Sequence, residues 1–91
     1  MTLDSRLALD PHIRFRRFDD EGVVIDQPRA EALVLNDTAA RVVELSDGAR
    51  TLGDCIDVMA AEFDARPEAI ERDVIAFATD LVDSGIARIE S

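Results

Sequence analysis

Glu31-Ala32-Leu33-Val34-Leu35-Asn36-Asp37-Thr38-Ala39-Ala40 is where this chain turns from strand to helix. Glu31 to Leu35 has strand character, and Asn36 or Asp37 directly after it can accept hydrogen bonds from the free N–H groups of a first helical turn. Upstream, Ile13-Arg14-Phe15-Arg16 alternates apolar and charged side chains, the period of a half-buried strand. Arg17-Phe18 breaks the phase, and a bulge near Arg16 and Arg17 returns Phe18 to the inner face. Asp19-Asp20-Glu21-Gly22 reads as a turn, Val23-Val24-Ile25 as a second strand, and Gln27-Pro28-Arg29 as a second turn in which proline fixes φ. Three short strands joined by tight turns make an antiparallel meander, and its third strand keeps an open edge.

Downstream, the pattern is helical. Ala39, Val42 and Val43 share one face of a helix over Thr38 to Leu45, stopped by Asp47-Gly48. Thr51 caps a second helix with Asp54 as its capping-box partner, and Leu52, Cys55, Ile56, Met59, Ala60 and Phe63 form its apolar stripe. Pro67 stands in the first turn of a third helix, where its missing donor costs nothing, and Gly85 is its left-handed stop. Ile86-Ala87-Arg88-Ile89 reads as a short terminal strand or an extended tail.

On the third helix, at ~100° per residue, Ile70, Val74, Phe77 and Leu81 fall within roughly 60° of one another, an ordinary core stripe. Ile75, Ala78 and Val82 widen it to ~160°, against the ~100° one buried face needs. The surplus is covered by the chain's own hairpin or terminal segment, or it lines a groove for another chain.

The 91 residues are 47% hydrophobic and 33% charged, enough apolar surface for one small globular domain and too little chain for a second core. Residues 1–11 read as an N-terminal arm and 12–91 as the domain. Twenty acids against ten bases, every base an arginine, give a formal charge of −10, which repels duplex DNA and anionic membranes. It also predicts that a protein docking on this charge offers a basic surface. The lone Cys55 rules out an internal disulfide, and no apolar stretch reaches the ~20 residues of a membrane span, so the cytoplasm is the expected location.

Chemistry-bearing patterns are absent from the sequence. His12 has no second histidine or nearby cysteine to share a metal, and Cys55 sits on an apolar stripe as a small hydrophobe. The carboxylates are scattered over caps, turns and outer helix faces, and the four glycines form no phosphate-cradling loop. No catalytic residue, metal or cofactor is expected.

Leu35-Asn36-Asp37-Thr38-Ala39-Ala40 after a strand, then Asp47-Gly48-Ala49-Arg50-Thr51-Leu52, Asp73-Val74 and Gly85-Ile86, together resemble the PqqD-like family across residues 12 to 89. The resemblance implies an α+β fold, a small winged helix-turn-helix in which the three-stranded meander precedes three helices. It implies a bacterial peptide chaperone that binds the leader segment of a ribosomally made precursor peptide by β-strand addition. The peptide is then delivered to a modifying enzyme, as to the radical-SAM enzyme of pyrroloquinoline quinone (PQQ) biosynthesis. Carried onto this sequence, the binding edge is Glu31, Ala32, Leu33, Val34 and Leu35, and the helical wall is Ile75, Ala78, Thr79 and Val82. Strand addition is largely blind to sequence, so selectivity must come from side-chain pockets on the wall.

PQQ-pathway members carry aromatic residues and a Tyr-Pro-Glu-Gly-like stretch before the third strand, where this chain has Ile25-Asp26-Gln27-Pro28-Arg29-Ala30. Similar domains serve lasso-peptide pathways, where the partner is a leader peptidase or cyclase. A DNA-binding regulator of the same architecture is the reading from another class, and the acidic opening Pro67-Glu68-Ala69-Ile70-Glu71-Arg72-Asp73 of the third helix weighs against it. The open edge and the arm at residues 1–11 also allow a homodimer.

Overall fold

In the computed structural model, which describes residues 1–90, the chain runs β1 (Arg6–Leu9), β2 (Ile13–Phe18), β3 (Glu21–Asp26), β4 (Glu31–Leu35), α1 (Asp37–Leu45), β5 (Asp47–Thr51), α2 (Leu52–Glu62), α3 (Pro67–Asp83) and β6 (Ala87–Ile89). The strands form two antiparallel sheets, β2-β3-β4 and β5-β1-β6. The expected α+β class, with an antiparallel meander and three helices, is therefore present.

Local signals explain the meander. β2 and β3 pair without interruption from Ile13↔Asp26 to Phe18↔Glu21, and β3 and β4 from Gly22↔Leu35 to Asp26↔Glu31. The expected bulge at Arg16 and Arg17 is absent. A two-residue turn, with Asp19 at φ 51°, locks Phe18 opposite Glu21, so strict alternation puts Phe18 outward, 59% exposed. Gly22 is where β3 passes closest to α1: a Cβ there would lie 2.7 Å from Phe15 Cε1 and 2.8 Å from Ala40 Cβ.

The helices start where their caps place them. Asn36 Oδ1 accepts the Ala39 N–H at 2.9 Å. Thr51 and Asp54 form a reciprocal capping box, Thr51 Oγ1 accepting from the Asp54 N–H at 3.1 Å and Asp54 Oδ2 from the Thr51 N–H at 3.3 Å. Each cap is worth ~1 kcal/mol. Pro67 opens α3, and Gly85 at φ 77° ends it with the Ile86 N–H donating to Leu81 O at 2.9 Å.

Two elements correct the sequence reading. Arg6–Leu9, expected within a free arm, is the middle strand of the second sheet, with Leu7 only 2% exposed. Asp47–Thr51, expected as a stop and a cap, is a strand pairing Arg6↔Thr51 and Ala8↔Asp47. The terminal segment is the strand β6, paired with β1 from Leu7↔Ile89 to Leu9↔Ala87. Leu7, Val24, Val42, Leu52, Met59 and Leu81 are the largest fully buried side chains, drawn from both sheets and all three helices.

Candidate functional site

β4 is the outermost strand of its sheet, hydrogen-bonded to β3 on one side only. Four of its five residues are exposed, among them Leu33 and Val34, although strands of this composition are usually covered. Alternation turns Leu33 and the buried Leu35 toward the helical side, opposite Val24 and Gly22, and Ala32 and Val34 toward the outer face.

Two clefts flank this edge. One, of about 340 Å³, lies past the end of β4 and is bounded by Asn36, Thr38, Ala39 and Val42 on one side and by Ile70, Asp73, Val74 and Phe77 of α3 on the other. The second, of about 240 Å³, lies beside the start of β4 between Glu31, Ala32, Leu33 and the residues Ser84 and Ile86 just after α3, with Val24, Asp26 and Arg29 completing it. α3 therefore runs opposite in direction to β4, its first half beside the strand's end and its C-terminus beside the strand's start.

Polar contacts hold the second cleft in shape. Arg29 Nη1 donates to Ser84 O at 3.1 Å, tying the β3–β4 turn to the end of α3. Its Nε lies 3.6 Å from Asp26 Oδ2, and Asp26 is only 6% exposed. His12 Nε2 stands 3.7 Å from the other Asp26 oxygen, while its Nδ1 contacts Asp10. The His12 backbone N–H, donating to Asp10 Oδ1, holds the Asp10 carboxyl below the usual carboxylate range, and the ring adds to the effect. His12 thus bridges the Asp10 and Asp26 carboxyl groups beside the cleft. Among the described residues, no group of three or more His, Cys, Asp or Glu is placed to hold a metal ion.

Glu31 to Leu35 form the edge strand, the first four exposed and Leu35 buried. The four α3 residues expected beside it do not border either cleft: Ala78 is fully buried, and Ile75, Thr79 and Val82 are half-buried on an arc centred roughly 140° away from Ile70, Asp73, Val74 and Phe77. α3 packs against α2, α1 and β6, which takes up part of the surplus arc. The cleft-facing residues were in the stripe read as core. Val74 and Leu81 are core, but Ile70 and Phe77 are only half-buried.

Cys55 is 2% exposed, its Sγ donating to Leu45 O at 3.6 Å, and burial pushes its thiol pKa up. Native protein is expected to leave a disulfide reagent such as DTNB unreacted at neutral pH and to release one equivalent of thiol in denaturant. Rapid native labelling would show that α2 does not bury this face.

The sequence profile of the family described as Coenzyme PQQ synthesis protein D (PqqD) matches residues 21–87. The PqqA binding protein of Bradyrhizobium diazoefficiens is 35% identical over 81 residues, 89% of this chain and 79% of that protein. The PqqA binding protein of Xanthomonas axonopodis pv. citri is 35% identical over 91 residues, 98% of this chain and 97% of that protein. Among solved structures, lasso peptide synthetase B1 complexed with the leader peptide superposes with a TM-score of 0.78 at 29% identity, covering 91% of this chain and 98% of that one. TbiB1 in complex with the TbiA(beta) leader peptide shares the fold, with a TM-score of 0.79 at 18% identity over 89% of this chain and 94% of that one.

Proposed function

The chain belongs to the PqqD family, and from that premise we propose that it is a peptide chaperone that binds the leader of a ribosomally made precursor peptide and hands it to a modifying enzyme. The observation that carries the reading is the uncovered β4 edge between two clefts, one lined by α3 and the other by Ser84 and Ile86 just after it. An unpaired strand edge supplies main-chain donors and acceptors to an extended peptide, and clefts on the adjacent wall supply side-chain selection. The relatives named PqqA binding protein and the B1 protein complexed with its leader peptide support a leader as ligand.

An antiparallel leader strand runs from the α1–α3 cleft toward the Arg29–Ser84 cleft. Its large apolar side chain enters the first, against Ala39, Val42, Ile70 and Phe77, while Asn36 and Asp73 offer polar contacts beside it. Val24, Leu33 and Ile86 line the second together with Asp26, Arg29 and Glu31, a site for a longer side chain with a polar end. Ile75, Thr79 and Val82 then act in packing α3 rather than in contacting peptide.

In this reading the α2–α3 pair and the β2–β3 hairpin are a winged helix-turn-helix used for peptide rather than DNA, which fits the acidic start of α3 and the −10 charge. The protein is a non-enzymatic, cytoplasmic carrier, and the open edge offers the route to a homodimer. The PQQ relatives favour a radical-SAM partner. The likeness to lasso peptide synthetase B1 favours, as the second reading, a leader peptidase or cyclase. Neighbouring reading frames separate the two.

The test is fluorescence anisotropy with the labelled leader peptide encoded beside the gene. Saturable binding well below 1 mM Kd is expected, with no saturation by a scrambled peptide. Equal binding of both peptides, or none up to 1 mM, would overturn the proposal.

A further inference from the structure

We infer that the outer face of the β2-β3-β4 sheet docks the enzyme that receives the peptide, through an enzyme patch that is apolar at its centre and carboxylate at its rim. The inference rests on the carrier reading above but concerns a different face of the molecule. Strand alternation separates the two faces. Ile13, Val24 and Leu35 point inward and are buried, with α1 packed over β3 and β4. Outward, the register lays two rows across the sheet, Arg14–Ile25–Ala32 and Arg16–Val23–Val34. Val34 is 64% exposed and Phe18 extends the apolar surface at the end of β2, while Val23 and Ile25 are half-buried between their neighbours. Asp19, Asp20 and Glu21 mark the boundary of the face at the hairpin tip. An uncovered apolar sheet face of this kind signals an interaction surface.

The arginines give the partner its sign. Arg17, Arg29, Arg41, Arg50 and Arg88 each lie within 4.0 Å of a carboxylate. Of the other five, Arg6, Arg66 and Arg72 lie outside this sheet, and Arg14 and Arg16, on this sheet, form no such pair among the described residues. Their guanidinium groups donate to the backbone carbonyls of Pro11, Ile13 and Phe15. In a chain with twice as many acids as bases, two arginines lacking an internal acid along one edge of an apolar surface are complementary to an external acidic rim. Two cations on a chain of charge −10 are too few to hold duplex DNA or an anionic bilayer, and the apolar centre suits neither phosphate nor headgroup. The net charge alone calls for a basic partner surface; its distribution calls for an acidic one here.

A leader strand added to β4 becomes the fourth strand of this sheet, and its alternate side chains extend the outer face beyond Ala32 and Val34. The enzyme then meets protein and peptide on one continuous surface and binds the loaded carrier more tightly than the empty one.

The experiment uses the full chain and the purified modifying enzyme encoded beside its gene, measuring Kd by calorimetry with and without saturating leader peptide. The double variants Arg14→Glu/Arg16→Glu and Arg14→Gln/Arg16→Gln are compared with wild type after circular dichroism confirms folding. We expect enzyme binding about tenfold weaker for the Glu variant and less affected for the Gln variant, with leader Kd unchanged within about twofold. Raising salt should weaken wild-type docking more than that of the Gln variant. Unchanged enzyme affinity in the folded Glu variant overturns the inference, as does loss of leader binding with it. So does wild-type binding to phosphatidylglycerol vesicles, to duplex DNA or to itself that the Glu variant abolishes, since the face then belongs to another occupant. If wild type fails to bind leader at all, the carrier reading fails, and the enzyme titration without peptide still decides whether this face docks it.

Discussion

Met59→Ala is expected to lower unfolding free energy by about 2–5 kcal/mol, because it removes a fully buried side chain from the middle of α2 and leaves a cavity that the core can only partly close. Met59 belongs to the cluster that includes Leu52, Val42 and Leu81, which joins all three helices. Domains of this size are stable by only about 5–15 kcal/mol, so the loss is a large share of the total. Urea titration checks it, with Val34→Ala, on an exposed outward position, as a control expected to change little. A Met59→Ala midpoint indistinguishable from wild type would mean that α2 does not form the centre of the core.

Leu33→Asp is expected to weaken leader binding by roughly thirtyfold, about 2 kcal/mol, while leaving the fold intact. Leu33 is 45% exposed on the cleft side of β4, so the charge is tolerated in the free protein and is desolvated only when peptide covers it. Ile70→Ala should weaken binding by a smaller amount through the first cleft, and Thr79→Ala, on the opposite arc of α3, should leave it unchanged. Anisotropy titrations of the three variants decide which arc is the wall. Loss on Thr79→Ala with no effect of Ile70→Ala would restore the arc expected from the sequence.

That arc shows how far the residues could be read. Features fixed by neighbours in sequence were legible: the β2–β3–β4 meander, the Asn36 cap, the Thr51–Asp54 capping box, Pro67 opening α3 and Gly85 closing it. Features fixed by distant partners were not. β5 has no apolar alternation of its own and exists because β1, about 40 residues away, pairs with it. β1 is four residues long and is a strand because β5 and β6 hold both of its edges. Phe18 went outward because the turn at Asp19, not the hydrophobicity of the side chain, set the register.

β4 as a strand was legible for the same local reason, its apolar run ending at the Asn36 cap, and its use as a binding edge is the proposal made above. The wall was not. A 160° apolar arc has two flanks, and which flank faces β4 depends on how α3 sits against α2, α1 and β6. The wheel places Ile70 and Phe77 at one flank of this arc, and they remain half-buried because the α1–α3 cleft opens there.

The most direct test of strand addition at this edge is amide hydrogen exchange of isotopically labelled protein, followed by NMR with and without the leader peptide. The account predicts slowed exchange at the outward-facing N–H groups of residues 31–36 and chemical-shift changes at residues 70–77 of α3. Saturating peptide that leaves the exchange of residues 31–36 unchanged would contradict it.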